Sequence, residues 1–158
     1  MIGPAINPHP TSESFSIVRQ YGDGTLKYGA PRIGMGVVDV RDLAQVHVAA
    51  ASMLQATGRH IISGHNTDLV EMGRALLERY GANYPIPRHA LPKWLVWLIG
   101  PLSGSGNTRK FVSRNVDVPW RADNSKGRRE LSLSYRPLQP SMEDMFEQMV
   151  EAGYFDTA

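Results

Sequence analysis

Residues 35–54 constrain the fold more than any other stretch of the chain. Met35, Val37, Val38 and Val40 make a short apolar run, the pattern of a strand ending near Asp39. Asp39 stands where it can cap a helix, and Asp42 follows three residues on, as in a capping box. Leu43, Val46, Ala50, Met53 and Leu54 then recur at helical spacing, which predicts a helix over about 40–56. Ala44, Val48, Ala49 and Ala51 widen its apolar surface, so more than one side of this helix is expected to be covered. After Gly58, residues 59–63 read as a short buried strand. A second helix is predicted over about 67–80, capped by Asn66 or Thr67 and ended by Gly81. Its apolar stripe is Leu69, Met72, Leu76, Leu77 and Tyr80. Strand, helix, strand, helix in that order favours an α/β layered fold.

The flanks are less regular. Pro4, Pro8 and Pro10 interrupt the N-terminal stretch, and residues 11–20 suit a short helix carrying Phe15, Ile17 and Val18. Gly22, Asp23 and Gly24 read as a turn. In the second half, Pro92 suits the first turn of a short helix carrying Trp94, Leu95, Trp97 and Leu98. Further short helices are expected over about 107–115 and from Asn124 or Ser125 to near Leu131, with a short strand at 118–121. Ser141 is expected to start a last helix with the stripe Met142, Met145, Phe146 and Met149, ended by Gly153. The chain thus divides into an α/β part over 1–81 and a small, mainly helical lobe over 82–158.

Composition excludes several chemistries. The 158 residues suit one domain or part of a larger one, and they include no cysteine. Disulfides, thiolate zinc sites, iron–sulfur clusters and cysteine nucleophiles are therefore out. Five histidines are present, but no H-E-x-x-H and no histidine pair on a helix face supports a metal. A net charge of +2 is too mild to argue for nucleic acid. Residues 109–129 are locally basic and residues 141–158 locally acidic, and these segments are expected to face each other or water. The longest apolar stretch, residues 94–99, is far short of the roughly 20 residues that a membrane span needs. No secretory signal pattern opens the chain, so a cytoplasmic protein is expected.

No motif supplies a self-sufficient active site. Gly34-Met-Gly36 has Asp39 where a third glycine would be needed, and it precedes a strand instead of following one. It and Gly22-Asp-Gly24 are read as turns. There is no G-x-x-x-x-G-K-[ST] and no G-x-S-x-G. Ser63-Gly64-His65 is an adjacency and not a triad, and Asp68 reads as a helix-start acid. His47 reads as partly buried and bonded to backbone. Trp94 and Trp97 read as core of the small lobe first, and as a pocket wall second.

The run from Val37 to Ala50, V-V-D-V-R-D-L-A-Q-V-H-V-A-A, resembles a hallmark of extended short-chain dehydrogenases/reductases. It is most similar to the branch of dihydroflavonol reductases, cinnamoyl-CoA reductases and bacterial aldehyde reductases, where V-D-V-R-D-V-A-x-A-H-V opens a helix. Ile2-Gly3-Pro4 resembles the end of that family's P-x-x-x-x-G-P segment, and Gly58-Arg59-His60-Ile61-Ile62 its G-R-Y-I strand. Asp123-Asn124-Ser125-Lys126 with Arg129-Glu130-Leu131 resembles its D-x-S-K-x-x-x-E-L-G element. Ser132 stands where the family usually has glycine, a departure expected to matter little.

The resemblance implies the C-terminal half of an extended Rossmann-type reductase: residues 1–81 the remnant of the core, 82–158 the substrate lobe. The family's glycine-rich turn is missing. So is its catalytic Tyr-x-x-x-Lys, because no tyrosine here has lysine four residues on. No residue is therefore assigned a catalytic role. The resemblance places Gly3 and Pro4 near the nicotinamide of NADP or NAD, and Ser12 or Ser14 near the cofactor phosphate. Phe15, Met35, Trp94 and Trp97 become candidates for the wall of the substrate pocket. The implied function is the substrate-binding portion of an NAD(P)-dependent oxidoreductase acting on a ketone or aldehyde. Alone, the chain is expected to bind no cofactor and to reduce nothing. Its expected partner is the N-terminal Rossmann half, or a second copy docked on the exposed core face. The alternative is a non-enzymatic ligand- or partner-binding module derived from the same fold.

Overall fold

Asp39 ends one element and starts the next in the computed structural model, which describes residues 1–7, 12–54, 56–102 and 108–155. Ser12 caps helix α1 (Glu13–Arg19), and two short strands follow, β1 (Ala30–Pro31) and β2 (Gly34–Val37). The Asp39 carboxylate accepts the Arg41 amide at 2.8 Å and so caps α2 (Val40–Ser52). This helix stops short of the expected residue 56. Strand β3 (His65–Asp68) runs directly into α3 (Leu69–Tyr80). The cap is not Asn66 or Thr67 but Asp68, the last residue of β3, whose side chain accepts the Val70 and Glu71 amides. Strand β4 (Ala90–Leu91) and Pro92 precede α4 (Lys93–Ile99), which passes into a 3-10 turn. Helices α5 (Arg109–Asn115), α6 (Ser125–Glu130) and α7 (Leu138–Glu151) complete the chain.

Two expected boundaries move for identifiable reasons. Helix α7 starts at Leu138 and not at Ser141, because Pro137 fixes its entry and Pro140, lying in the first turn, lacks only an N–H that no helix bond needs. Residues 118–121 form no strand; Ile33 makes single bridges to Val116 and Val118, and Pro119 has no amide to extend them.

The largest correction concerns residues 59–63. They form no strand; the strand in this region is β3, antiparallel to β2 with Gly34 opposite Asp68 and Val37 opposite His65. The other pair, β1 with β4, is parallel. A strand needs a neighbour, and residues 59–63 have none among the described residues. Side chains at the start of α6 bond carbonyls in and just before this segment instead: Lys126 donates to Thr57 at 2.6 Å and to Arg59 at 3.3 Å, and Asn124, the residue before the helix, donates to Ser63.

The main core lies between α3 and α7. Met72, Leu76 and Tyr80 meet Met142, Met145, Phe146 and Met149, joined by Ile2, Phe15, Val18, Tyr21, Val37 and Ile86. It therefore draws on both sides of residue 81. A second, smaller core gathers Val96, Val112 and Val116 against Ile33 and Leu91. The N-terminal segment is tied to both halves. The Ile2 amide donates to Val38 and its carbonyl accepts from Val40, while the Gln148 amide group bonds the Ala5 backbone in both directions at 2.7 and 2.6 Å.

The outer side of α2 is not covered as expected. Val48 is 70 % exposed, and Leu54, just beyond the helix, is 99 % exposed. His47 is exposed too, its ring bonded at 2.8 Å to the Leu43 carbonyl of its own helix. Trp94, 68 % exposed, and Trp97, 40 % exposed, are not core residues. Among the described residues the acidic segment pairs with Arg41 and Arg79, through Asp144 and Glu147, and not with the basic stretch. No described helix is long and apolar enough to cross a membrane.

Candidate functional site

The site is built on the two glycines of β2. Residues two apart on a strand share a face, so Gly34 and Gly36 look the same way and Met35 the other. A Cβ on Gly34 would lie 2.8 Å from the Trp120 amide nitrogen, and one on Gly36 would lie 2.3 Å from the Trp120 ring. These glycines are not turns. Their missing side chains admit an indole laid across the β2–β3 ribbon. Asn66 on β3 holds the indole's segment in place, donating to the Ala122 carbonyl at 3.0 Å and accepting its amide at 3.1 Å.

Beneath Trp120 opens a cavity of about 470 Å³, within the range of small-molecule sites. Val118, Pro119 and Trp120 form its apolar wall. The opposite wall carries an ion-paired group: Arg32 bonds Asp68 at 2.7 Å and lies 3.6 Å from Glu71. The hydrogen bond and charge of Asp68 push the Arg32 guanidinium further above its already high range, so it stays protonated. Asp68 serves twice, as this partner and as the cap of α3. The lining holds no nucleophile paired with a base. It can seat a polar molecule with one flat face against the indole, but it supplies no proton relay.

Of the sequence-predicted residues, Ser14 and Met35 line a different hollow. Gly3 takes a φ of 100° beside Asp39, where a Cβ would sit 3.1 Å from the carboxylate. Asp39 itself is held by Arg41 through two bonds, at 2.9 and 2.7 Å, and Arg41 reaches on to Asp144 at 2.7 Å. Burial pushes the Asp39 carboxyl up, but the hydrogen bonds from Arg41 and Ser141 outweigh it and bring it down to about 2. Pro4 is half-buried on the same segment. Ser14 and Met35 meet Ile2 and Met72 around a hollow of about 80 Å³. Ser14 accepts a bond from the Met1 ammonium, whereas Ser12 is engaged as the cap of α1. Phe15 faces the main core and packs edge-on against Tyr154 at 5.1 Å. Trp94 and Trp97 join neither hollow; Arg109 stacks over Trp97 at 4.5 Å.

Ser63 and His65 make no catalytic pair. The Ser63 hydroxyl bonds the His65 carbonyl, and the His65 ring bonds the Arg136 carbonyl at 2.7 Å. Among the described residues no group of three or more histidines and carboxylates converges as a metal site. A dinucleotide fits this chain only in part. The crowded Gly3 backbone and the hollow beside Ile2 offer one edge for a flat ring, but about 80 Å³ is far below a cofactor cradle. The residue that sequence reasoning missed is Trp120. The available signal was G-x-G inside a strand pattern, which asks for a large side chain from elsewhere.

These helices and small sheets make up an α/β unit that matches part of a Rossmann-like reductase fold. In particular, 96 % of the chain overlays yeast methylglyoxal/isovaleraldehyde reductase Gre2, solved with NADPH, at a TM-score of 0.64 and 20 % identity. Gre2 from Candida albicans is similar at a TM-score of 0.62 and 21 % identity, again over 96 % of this chain. The chain spans 44 % of the yeast protein and 42 % of the Candida protein, less than half of either. No protein-family model matches the sequence, and no curated protein sequence does.

Proposed function

We propose that this chain is the C-terminal, substrate-side portion of an NADP(H)-dependent reductase acting on an aldehyde or ketone, related to the dihydroflavonol reductase branch. One observation carries the reading: nearly the whole chain overlays less than half of a carbonyl reductase solved with NADPH. The sequence agrees with it independently, through the Val37–Ala50 run and the D-N-S-K segment. In the complete enzyme the cofactor supplies the hydride. Gly3 and Pro4 would border the nicotinamide, Ser14 would stand towards the cofactor phosphate, and Met35 would belong to the wall of the substrate pocket. Ser12, Phe15, Trp94 and Trp97 keep weaker claims, because the first caps a helix, the second faces the core and the tryptophans lie off both hollows. The N-terminal Rossmann half brings the glycine-rich turn and the proton-donating tyrosine.

The purified chain should therefore leave NADPH unconsumed in the presence of methylglyoxal or isovaleraldehyde, and NADPH fluorescence should not change on its addition. Joined to a Rossmann half encoded with it, it should reduce such carbonyls. Turnover by the isolated chain would overturn the reading.

A further inference from the structure

We propose that the cavity beneath Trp120 binds a small organic cation, an ammonium group carried on a flat apolar body. Only residues of this chain are involved, so the site stands apart from the reductase reading. Its apolar wall, residues 118–120, is fastened at both ends. The Asp117 amide donates to the Arg32 carbonyl at 2.9 Å, and Asn66 bonds the Ala122 backbone in both directions. Ile33 adds single bridges to Val116 and Val118. Gly34 lets the wall come this close: a Cβ there would lie 2.8 Å from the Trp120 amide nitrogen and 3.0 Å from the Val118 carbonyl. The space enclosed, about 470 Å³, is that of a small-molecule site. Trp120 is 44 % exposed, so much of its ring is open to a guest.

Charge sets the sign of the ligand. The lining carries three carboxylates, Asp68, Glu71 and Asp117, against one guanidinium, Arg32. Asp68 is fully used: Oδ1 accepts the Val70 and Glu71 amides, and Oδ2 takes Arg32 at 2.7 Å. Arg32 is thereby matched and has no charge left over for an anion. Glu71 shares Oε1 between Arg74 at 2.7 Å and Arg32 at 3.6 Å, and its Oε2 has no partner among the described residues. Neither oxygen of Asp117 has one. An indole attracts a cation to its ring face, and an ionised carboxylate nearby completes the pairing with a charge-assisted hydrogen bond. An anion would meet two uncompensated carboxylates, and an uncharged molecule would leave them unanswered. A bare metal ion has no cluster of three ligands among the described residues, and it would make no use of Val118, Pro119 and the indole.

The test is to titrate the purified chain with phenethylamine, with the isosteric phenethyl alcohol and with hydrocinnamate, following the indole and backbone N–H signals by NMR. The amine should shift the Trp120 indole N–H and the Asp117 amide saturably and bind at least about fivefold tighter than the alcohol, while the acid moves neither signal. Asp117 holds a φ of 56°, which asparagine tolerates as aspartate does. Asp117→Asn should therefore keep the spectrum of the free chain and lower the affinity for the amine to that for the alcohol. Trp120→Leu should weaken both. Equal affinity for amine and alcohol, preference for the acid, no saturation by the amine, or amine shifts confined to Trp94 and Trp97 would each overturn the assignment. So would an Asp117→Asn chain that binds the amine as tightly as the parent. None of these outcomes bears on NADPH consumption, so the reductase reading stands or falls by its own experiment.

Discussion

Asp39 has a side chain wholly out of water, yet it is ionised, because Arg41 grips both of its oxygens. Its carboxyl lies at about 2, below the ordinary 3.8. The stability it contributes is therefore complete above about pH 4 and is lost as the pH falls through about 2, a change on the order of 2–3 kcal/mol. Urea unfolding between these limits should show that loss, and Asp39→Asn should be less stable at neutral pH and flatten the curve. The sequence made Asp39 legible as a cap, because a cap is local. It did not show the reach from Arg41 to Asp144, which depends on how α7 docks. Ser132 is a second case. Where the resembled family has glycine, Ser132 holds a φ of 51°, a left-handed conformation that costs a non-glycine residue about 1–2 kcal/mol. The departure matters more than expected, and Ser132→Gly should stabilise the chain by about 1 kcal/mol in the same assay.

At the scale of elements, the β2–β3 ribbon and its tryptophan act as one unit. Gly36→Ala should lift the indole off the ribbon, cost about 1–3 kcal/mol and shift tryptophan emission to the red. Combined with Trp120→Ala, the two losses should sum to less than their separate values, since the clash is shared. Additive losses would mean that the ring does not press on Gly36. Helices were legible because periodicity and caps sit within a few residues: α2, α3 and α7 all fall where apolar spacing puts them. Strands were not. A strand exists only with a partner, and the apolar pattern at 59–63 names no partner while the polar β3, His-Asn-Thr-Asp, finds one in β2. Of the residues that the resemblance named, Ser14 and Met35 line one hollow, and Gly3 lies beside Asp39. Trp120 escaped notice because its role depends on glycines far away in sequence.

At the scale of the molecule, the chain has one main core and a flank that exposes apolar side chains. Residues on both sides of position 81 meet in the α3–α7 core, so the two halves of the sequence share one interior. The outer side of α2 exposes Val48, and Ile61 is 55 % exposed. The described fold overlays under half of a known reductase, and the sequence holds no Tyr-x-x-x-Lys. The most direct test of this account is the nucleotide sequence immediately upstream of the Met1 codon, read in all three frames. The account predicts a glycine-rich turn of the G-x-x-G-x-x-G kind after a strand, followed by a Tyr-x-x-x-Lys motif. An upstream region encoding neither, in any frame, would contradict it and leave a lobe that works without a Rossmann half.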